Sequence, residues 1–187
     1  MDRKHKVAVI VGSLSKASLN RKMAHALMTV APPSLELSIV EIGDLPLYSP
    51  DLEADPPSAV QVFREQVGAS NALLFVTPEY NRSVPGVLKN AIDVGSRPYG
   101  KSVWGGKPGA VVSVSPGAIG GFGANQHLRQ SFVFLDIIAM QQPEAYIGGA
   151  AKLFDEQGTL IDNSTREFVT KFMQSFAAFI ERVRAPA

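Results

Sequence analysis

Three short apolar runs constrain this chain more than any other feature: Val7-Ala8-Val9-Ile10-Val11, Ala72-Leu73-Leu74-Phe75-Val76 and Gly109–Val114. Runs of this length, rich in β-branched residues and closed by Gly12, Thr77-Pro78 and Ser115-Pro116, read as strands covered on both faces. Strands of that kind pair in parallel, and parallel pairs need long crossover connections. The chain between the runs must therefore supply helices for both faces.

It does so in alternation. Leu19 to Val30 sets Leu19, Met23, Ala26, Leu27 and Val30 at helical steps, and Pro32-Pro33 ends the pattern. Leu35–Ile42 alternates and reads as a second, less buried strand, followed by a loop over Gly43–Pro57 with four prolines. Ser58–Gly68 is predicted helical with Val60, Phe63 and Val67 on one face, and Gly86–Val94 is predicted helical as well. Asn125–Leu135 aligns Leu128, Phe132 and Leu135, and a fifth strand is expected within Ile137–Tyr146. Thr165–Val183 is a long final helix with Phe168, Phe172, Phe176, Phe179 and Val183 facing inward. This βαβαβαβαβα order predicts an α/β fold: a five-stranded parallel sheet in the flavodoxin-like order 2-1-3-4-5, with helices on both faces. At 187 residues and 45% hydrophobic, residues 1–187 are expected to form one domain whose core needs no disulfide or metal.

Composition narrows the chemistry. The chain has no cysteine, which removes thiolate nucleophiles, Cys-bound zinc and Cys-bound iron–sulfur clusters. Any redox chemistry must come from a bound cofactor. Lys plus Arg is 18 against 17 for Asp plus Glu, a net charge of +1 that argues against a nucleic-acid binder or a polybasic membrane anchor. Basic Met1–Lys6 before apolar Val7–Val11 imitates a secretory leader, but the run falls short of the roughly 7–15 apolar residues a leader needs. No run is long enough to predict a spanning helix, so the cytoplasm is the expected location. His5, His25 and His127 lack paired ligand spacing and read as surface or helix residues rather than metal ligands. Lys89 and Asp93 stand at i, i+4 and can simply pair, the alternative being a contact between subunits.

In an open parallel sheet, ligands bind beyond the carboxyl ends of the strands, where the strand order reverses. The loop after the first strand, Gly12 to Asn20, offers hydroxyls, Lys16 and Asn20 ahead of a helix N-terminus, which suits a phosphate; equally, Ser18 can be an ordinary N-cap. It matches neither of the two commonest nucleotide fingerprints. The loop after the third strand, Thr77 to Gly86, is stiffened by Pro78 and Pro85 and carries Tyr80 and Asn81. It can hold a flat heteroaromatic ring, or be a proline-shaped turn with a surface tyrosine. The segment after the fourth, Ser113 to Gly123, has four glycines within Gly117–Gly123 and lets backbone approach a ligand closely.

Together the segments GSLSKASLN (12–20), TPEYNRSVPGVLKNAIDVGSRP (77–98) and GKPGAVVSVSPGAIGG (106–121) resemble the NADPH-dependent FMN reductase family, in particular its bacterial NAD(P)H quinone and chromate reductases. The likeness runs from about Val7 to Ile147. It implies bound FMN, NAD(P)H as electron donor, and quinones, chromate, azo compounds or free flavin as acceptors in a ping-pong reaction with hydride carried by the flavin N5. It implies a phosphate loop of Ser13, Leu14, Ser15, Lys16, Ser18, Leu19 and Asn20. Pro78, Glu79, Tyr80 and Asn81 would flank the isoalloxazine, with Val114, Ser115 and Gly117 on its pyrimidine side. No side chain is required as an obligate acid or base. Two positions depart from the family pattern: Ser15 stands where many relatives have arginine, with Lys16 next to it, and Arg82 stands where close relatives often have an aromatic. The family usually forms dimers or tetramers, and the resemblance places Arg97, Arg129 and Tyr146 at the interface. Trp104 reads as a packing or interface anchor.

The main competing class is a flavodoxin-type electron carrier without turnover. Such carriers are typically acidic, unlike this nearly balanced chain. A phosphoacceptor signalling domain needs acidic residues after the first strand and an Asp ending the third, where this chain has Gly12-Ser13 and Thr77-Pro78. A nucleotide-binding regulatory protein is the remaining alternative.

Overall fold

The computed structural model describes residues 4–184; the first residues of the leader-like stretch and the last three of the predicted domain lie outside them. The strands are β1 (His5–Val11), β2 (Leu35–Val40), β3 (Ala72–Thr77), β4 (Pro108–Val114), β5 (Ile138–Ala139) and β6 (Ala145–Ile147). The helices are α1 (Leu19–Thr29), α2 (Ser58–Gly68), α3 (Gly86–Gly95), α4 (Phe122–Leu135) and α5 (Asn163–Arg184). The sheet is parallel in the order β2-β1-β3-β4-β5, with β6 also pairing β4.

The period-two alternation of the apolar strands sorts the core into two layers. Val7, Val9, Val11, Leu74, Val76 and Val112 face α1 and α5, where Met23, Leu27, Phe172 and Phe176 are buried. Ala8, Ile10, Leu73, Phe75 and Val111 face α2, α3 and α4. Trp104 belongs to the second layer: it is fully buried, with its ring centroid 5.9 Å from Phe63 and 5.8 Å from Phe75. Its Nε1–H donates to the Ile92 carbonyl at 3.0 Å, so it is a packing anchor of the core. Gly95 makes room for it, since a Cβ there would lie 2.5 Å from the indole.

The fifth sheet position differs from the single strand expected. Two short strands share it: β5 pairs Pro108 and Gly109, and β6 pairs Val112 to Val114. Between them Pro143 has no N–H for the ladder. Side chains from α4 take over the unpaired carbonyls there. Asn125 Nδ2 donates to Ala145 at 3.2 Å, and Arg129 donates to Met140 at 2.8 Å while its Nε holds Asn125 Oδ1 at 2.9 Å. The final helix begins two residues before its expected start because Asp162 accepts from the Thr165 N–H at 2.7 Å, an N-cap. No helix among the described residues is long and apolar enough to cross a membrane.

Candidate functional site

The strand order reverses between β1 and β3, so the loops leaving β1, β3 and β4 surround one crevice. Gly12 closes β1 by donating to the Val76 carbonyl at 2.9 Å. A side chain at Gly12 would meet Leu88 at 3.0 Å and Thr77 at 3.1 Å. From there the backbone N–H groups of residues 13–17 find no backbone acceptor among the described residues. Ser18 Oγ accepts from the Arg21 N–H at 3.1 Å, so it is the N-cap of α1, yet its hydroxyl proton remains free to donate. The Leu19 and Asn20 amides lie in the first turn, where no intrahelical acceptor exists. A run of free N–H groups ahead of a helix N-terminus is an anion-binding arrangement.

Ser13, Ser18 and Asn20 are buried, Leu19 is half-buried, and Leu14, Ser15 and Lys16 are exposed. Asn20 is the most informative. Its Nδ2 makes one long bond to the Val114 carbonyl at 3.4 Å, and its buried Oδ1 has no partner. An acceptor left bare in this way is costly, and it calls for a donor from a ligand or a water. Arg21 leaves the same helix turn and pairs bidentately with Glu41 at 2.8 and 2.7 Å, which lowers the Glu41 carboxyl from its ordinary value.

After β3, Pro78 is buried and the chain makes a tight turn. Tyr80 and Ser83 exchange backbone bonds at 3.1 and 3.0 Å, with Asn81 at φ 53° and Arg82 at φ 64°. Two central residues at positive φ make this a type I′ turn. Glu79 secures it from below. One carboxylate oxygen accepts from the Ala124 N–H at 3.0 Å, capping α4 from another element, and the other accepts from Arg82 at 3.1 Å. Ser83 Oγ lies 2.7 Å from His127 Nδ1, a second tie between this loop and α4. Tyr80 is left 54% exposed at the opening, beside exposed Asn81. Lys89 and Asp93 pair at 2.8 Å on the outside of α3, as their spacing predicted.

After β4, buried Val114 leads to half-buried Ser115 and exposed Gly117. Ser115 bonds to Ile147 through its N–H at 2.9 Å and to the Ala150 N–H through its carbonyl at 3.1 Å. Its Oγ takes the Gly117 N–H at 3.1 Å. Among the amides left over are those of Ala118 and Ile119, donors that a reading of residue types passes over, together with those of Gly121, Phe122 and Gly123 at the start of α4. The loop lies so close to the chain after β6 that a Cβ at Gly148 would fall 2.5 Å from the Ala118 carbonyl. Tyr146, at this flank, accepts from Gln126 and packs 5.2 Å from Phe122; burial raises its phenol. Arg129 directs its guanidinium to Asn125 and the Met140 carbonyl within the chain, whereas Arg97 is exposed, 5.9 Å over the Tyr48 ring.

A parallel sheet whose switch point carries an anion loop, a rigid aromatic-bearing turn and free backbone donors defines a flavodoxin-like mononucleotide-binding protein. More specifically, the chain belongs to the NADPH-dependent FMN reductase family, whose sequence model matches residues 5–152. A quinone reductase of Pseudomonas putida is 64% identical over 186 residues, covering 99% of this chain and 100% of that protein. A 2-hydroxy-1,4-benzoquinone reductase of a Burkholderia species is 49% identical over 175 residues, 94% of this chain and 96% of that one. Among solved structures, the flavoenzyme NAD(P)H:(acceptor) oxidoreductase FerB of Paracoccus denitrificans superposes with a TM-score of 0.90 at 43% identity, covering 95% of this chain and 98% of its own.

Proposed function

We propose that this protein is an FMN-dependent NAD(P)H oxidoreductase that reduces quinones, with chromate, azo compounds and free flavin as further acceptors. The observation that carries the reading is Asn20, a buried amide with an orphaned oxygen, set among free N–H groups at the switch point. FMN fits this set: its phosphate accepts, its ribityl hydroxyls donate, and its ring is flat. When bound, FMN supplies the hydride chemistry between donor and acceptor.

The chain's own residues bind and orient. The amides of Ser13 to Ala17, Leu19 and Asn20, with the Ser13, Ser15 and Ser18 hydroxyls, would hold the phosphate. Lys16 adds a point charge in place of a bidentate guanidinium. Pro78, Glu79, Tyr80 and Asn81 would form one wall against the ring, and Val114, Ser115 and Gly117 the other. The free amides of Ala118 and Ile119 would supply donors for negative charge developing on the bound ring. No side chain of the crevice is needed to carry a proton. Donor and acceptor would enter in turn through one opening flanked by exposed Leu14, Tyr80 and Ile119, which gives ping-pong kinetics. We further propose that the chain acts as one domain, in the cytoplasm, as a homodimer or homotetramer contacting through Arg97 and the Tyr146 flank.

The test is a visible absorption spectrum of the purified protein, recorded anaerobically with NADPH and then with a quinone. A flavin band that bleaches and returns is expected. Colourless protein that neither takes up FMN nor oxidises NADPH would overturn the reading, and bound flavin that NADPH cannot reduce would favour an electron carrier.

A further inference from the structure

Asn125 sits on the buried face of α4, where an amphipathic helix needs only an apolar residue, and it is fully buried. Every polar atom of its side chain is engaged. Nδ2 donates to the Ala145 carbonyl at 3.2 Å and to Ser113 Oγ at 3.3 Å, and Oδ1 accepts from Arg129 Nε at 2.9 Å. Ser113, also fully buried, donates from Oγ to the same Ala145 carbonyl at 3.4 Å. A buried network satisfied in this way adds little net stability over an apolar filling, but it fixes one arrangement of the elements it joins.

What it fixes is the placement of β6. That strand pairs with β4 at three positions only, and Ala145 is its first residue, so Asn125 grips it where it enters the sheet. The loop after β4 rests on this strand and on the chain that follows it. The Ser115 N–H donates to Ile147 at 2.9 Å, and the Gly149 N–H donates to Gly117 at 3.2 Å. A Cβ at Gly120 would lie 2.7 Å from the Tyr146 carbonyl carbon, as close as Gly148 lies to Ala118 on the other side. The amides of Ala118 and Ile119 stand between these supports. Building on the proposed flavin reading, we infer that Asn125 is a positioning residue: by gripping β6 it keeps the Ala118 and Ile119 donors beside the ring, and so sets how tightly reduced FMN is held relative to oxidised FMN. Fully buried, it acts through that loop and touches neither cofactor nor substrate.

The experiment measures the midpoint potential of the flavin in the FMN-loaded enzyme against a redox indicator dye, together with thermal melts. Asn125→Leu keeps the volume and removes the grip on Ala145. Donors that drift from the ring favour the reduced, more negative flavin less, so its binding should weaken about tenfold more than that of oxidised FMN, and the potential should fall by about 30 mV. Ser113→Ala removes the longer of the two donors to Ala145 and should move the potential the same way by less; where Asn125→Leu does not fold, this variant decides. Gly95→Ala is the control for stability alone: it crowds Trp104 in the layer that does not support the loop, so it should melt lower with the potential unchanged. A potential equal to the parent's in Asn125→Leu, or an equal fall in Gly95→Ala, would overturn the inference and leave the flavin reading intact. A parent protein that takes up no FMN would overturn both.

Discussion

Replacing Asn20 by leucine separates a ligand-binding role from a structural one, because the two predict opposite signs. Asn20 Oδ1 is buried with no partner from the protein, and its Nδ2 makes a single bond of 3.4 Å. An unsatisfied buried acceptor costs about 1–3 kcal/mol, whereas a bond that long returns little. Leucine has nearly the same shape, so the apoprotein should hold its stability or gain up to about 2 kcal/mol. For a chain of this length each kcal/mol moves Tm by about 2–4 °C. FMN binding should move the other way. Losing hydrogen bonds worth about 1.5–3 kcal/mol weakens Kd by roughly tenfold to a hundredfold. The assay is a flavin fluorescence titration of apoprotein, paired with thermal melts with and without FMN. An Asn20→Leu apoprotein that melts more than about 5 °C below the parent would show that the amide holds up the fold. A Kd within threefold of the parent would remove Asn20 from the binding site.

Other expectations are more local. Gly95→Ala places a methyl 2.5 Å from the Trp104 ring, and overpacking of that kind costs about 1–3 kcal/mol, readable as a lower midpoint in urea. Glu79→Ala removes the cap on the α4 amide and the tie to Arg82, so it should lower Tm by a few degrees, while Glu79→Gln, which keeps an acceptor, should recover most of the loss. Glu41 and Asp162 both have carboxyls lowered from their ordinary values, by the Arg21 hydrogen bonds and by the Thr165 hydrogen bonds respectively. Their contribution to stability is full above the ordinary carboxylate range near about 4 and is lost as pH falls through the lowered values. Melts from pH 7 to pH 3 should show Asp162→Asn losing less stability than the parent over the acid limb; parallel curves would refute the role of that cap.

The sheet was legible because its signal is local. An apolar run buried on both faces looks the same wherever its partners lie, so β1, β3 and β4 stand out residue by residue, and the alternation with helices leaves few topologies. The edge position was less legible. Whether Ile137–Tyr146 makes one strand or two depends on Pro143 and on side chains from α4 that close the gap, and Asn125 carried no mark in the sequence beyond its place in an amphipathic helix.

The crevice divides along the same line. That three loops meet there follows from strand order alone, and the identities of Ser18 and Asn20 announce a helix start with donors. What the sequence hides is which atoms those loops leave unused. Ser115 consumes the Gly117 amide, so the nearest free donors after it fall one and two residues later. Glu79, which as a residue type invites a place facing the ligand, turns its carboxylate to the α4 amide 45 positions away. Backbone donors are the cheaper resource in such a site. They are fixed by strand pairing and helix capping that the fold needs anyway, so they cost no side-chain entropy to orient. The side chains at the opening are then free to vary without disturbing the cradle.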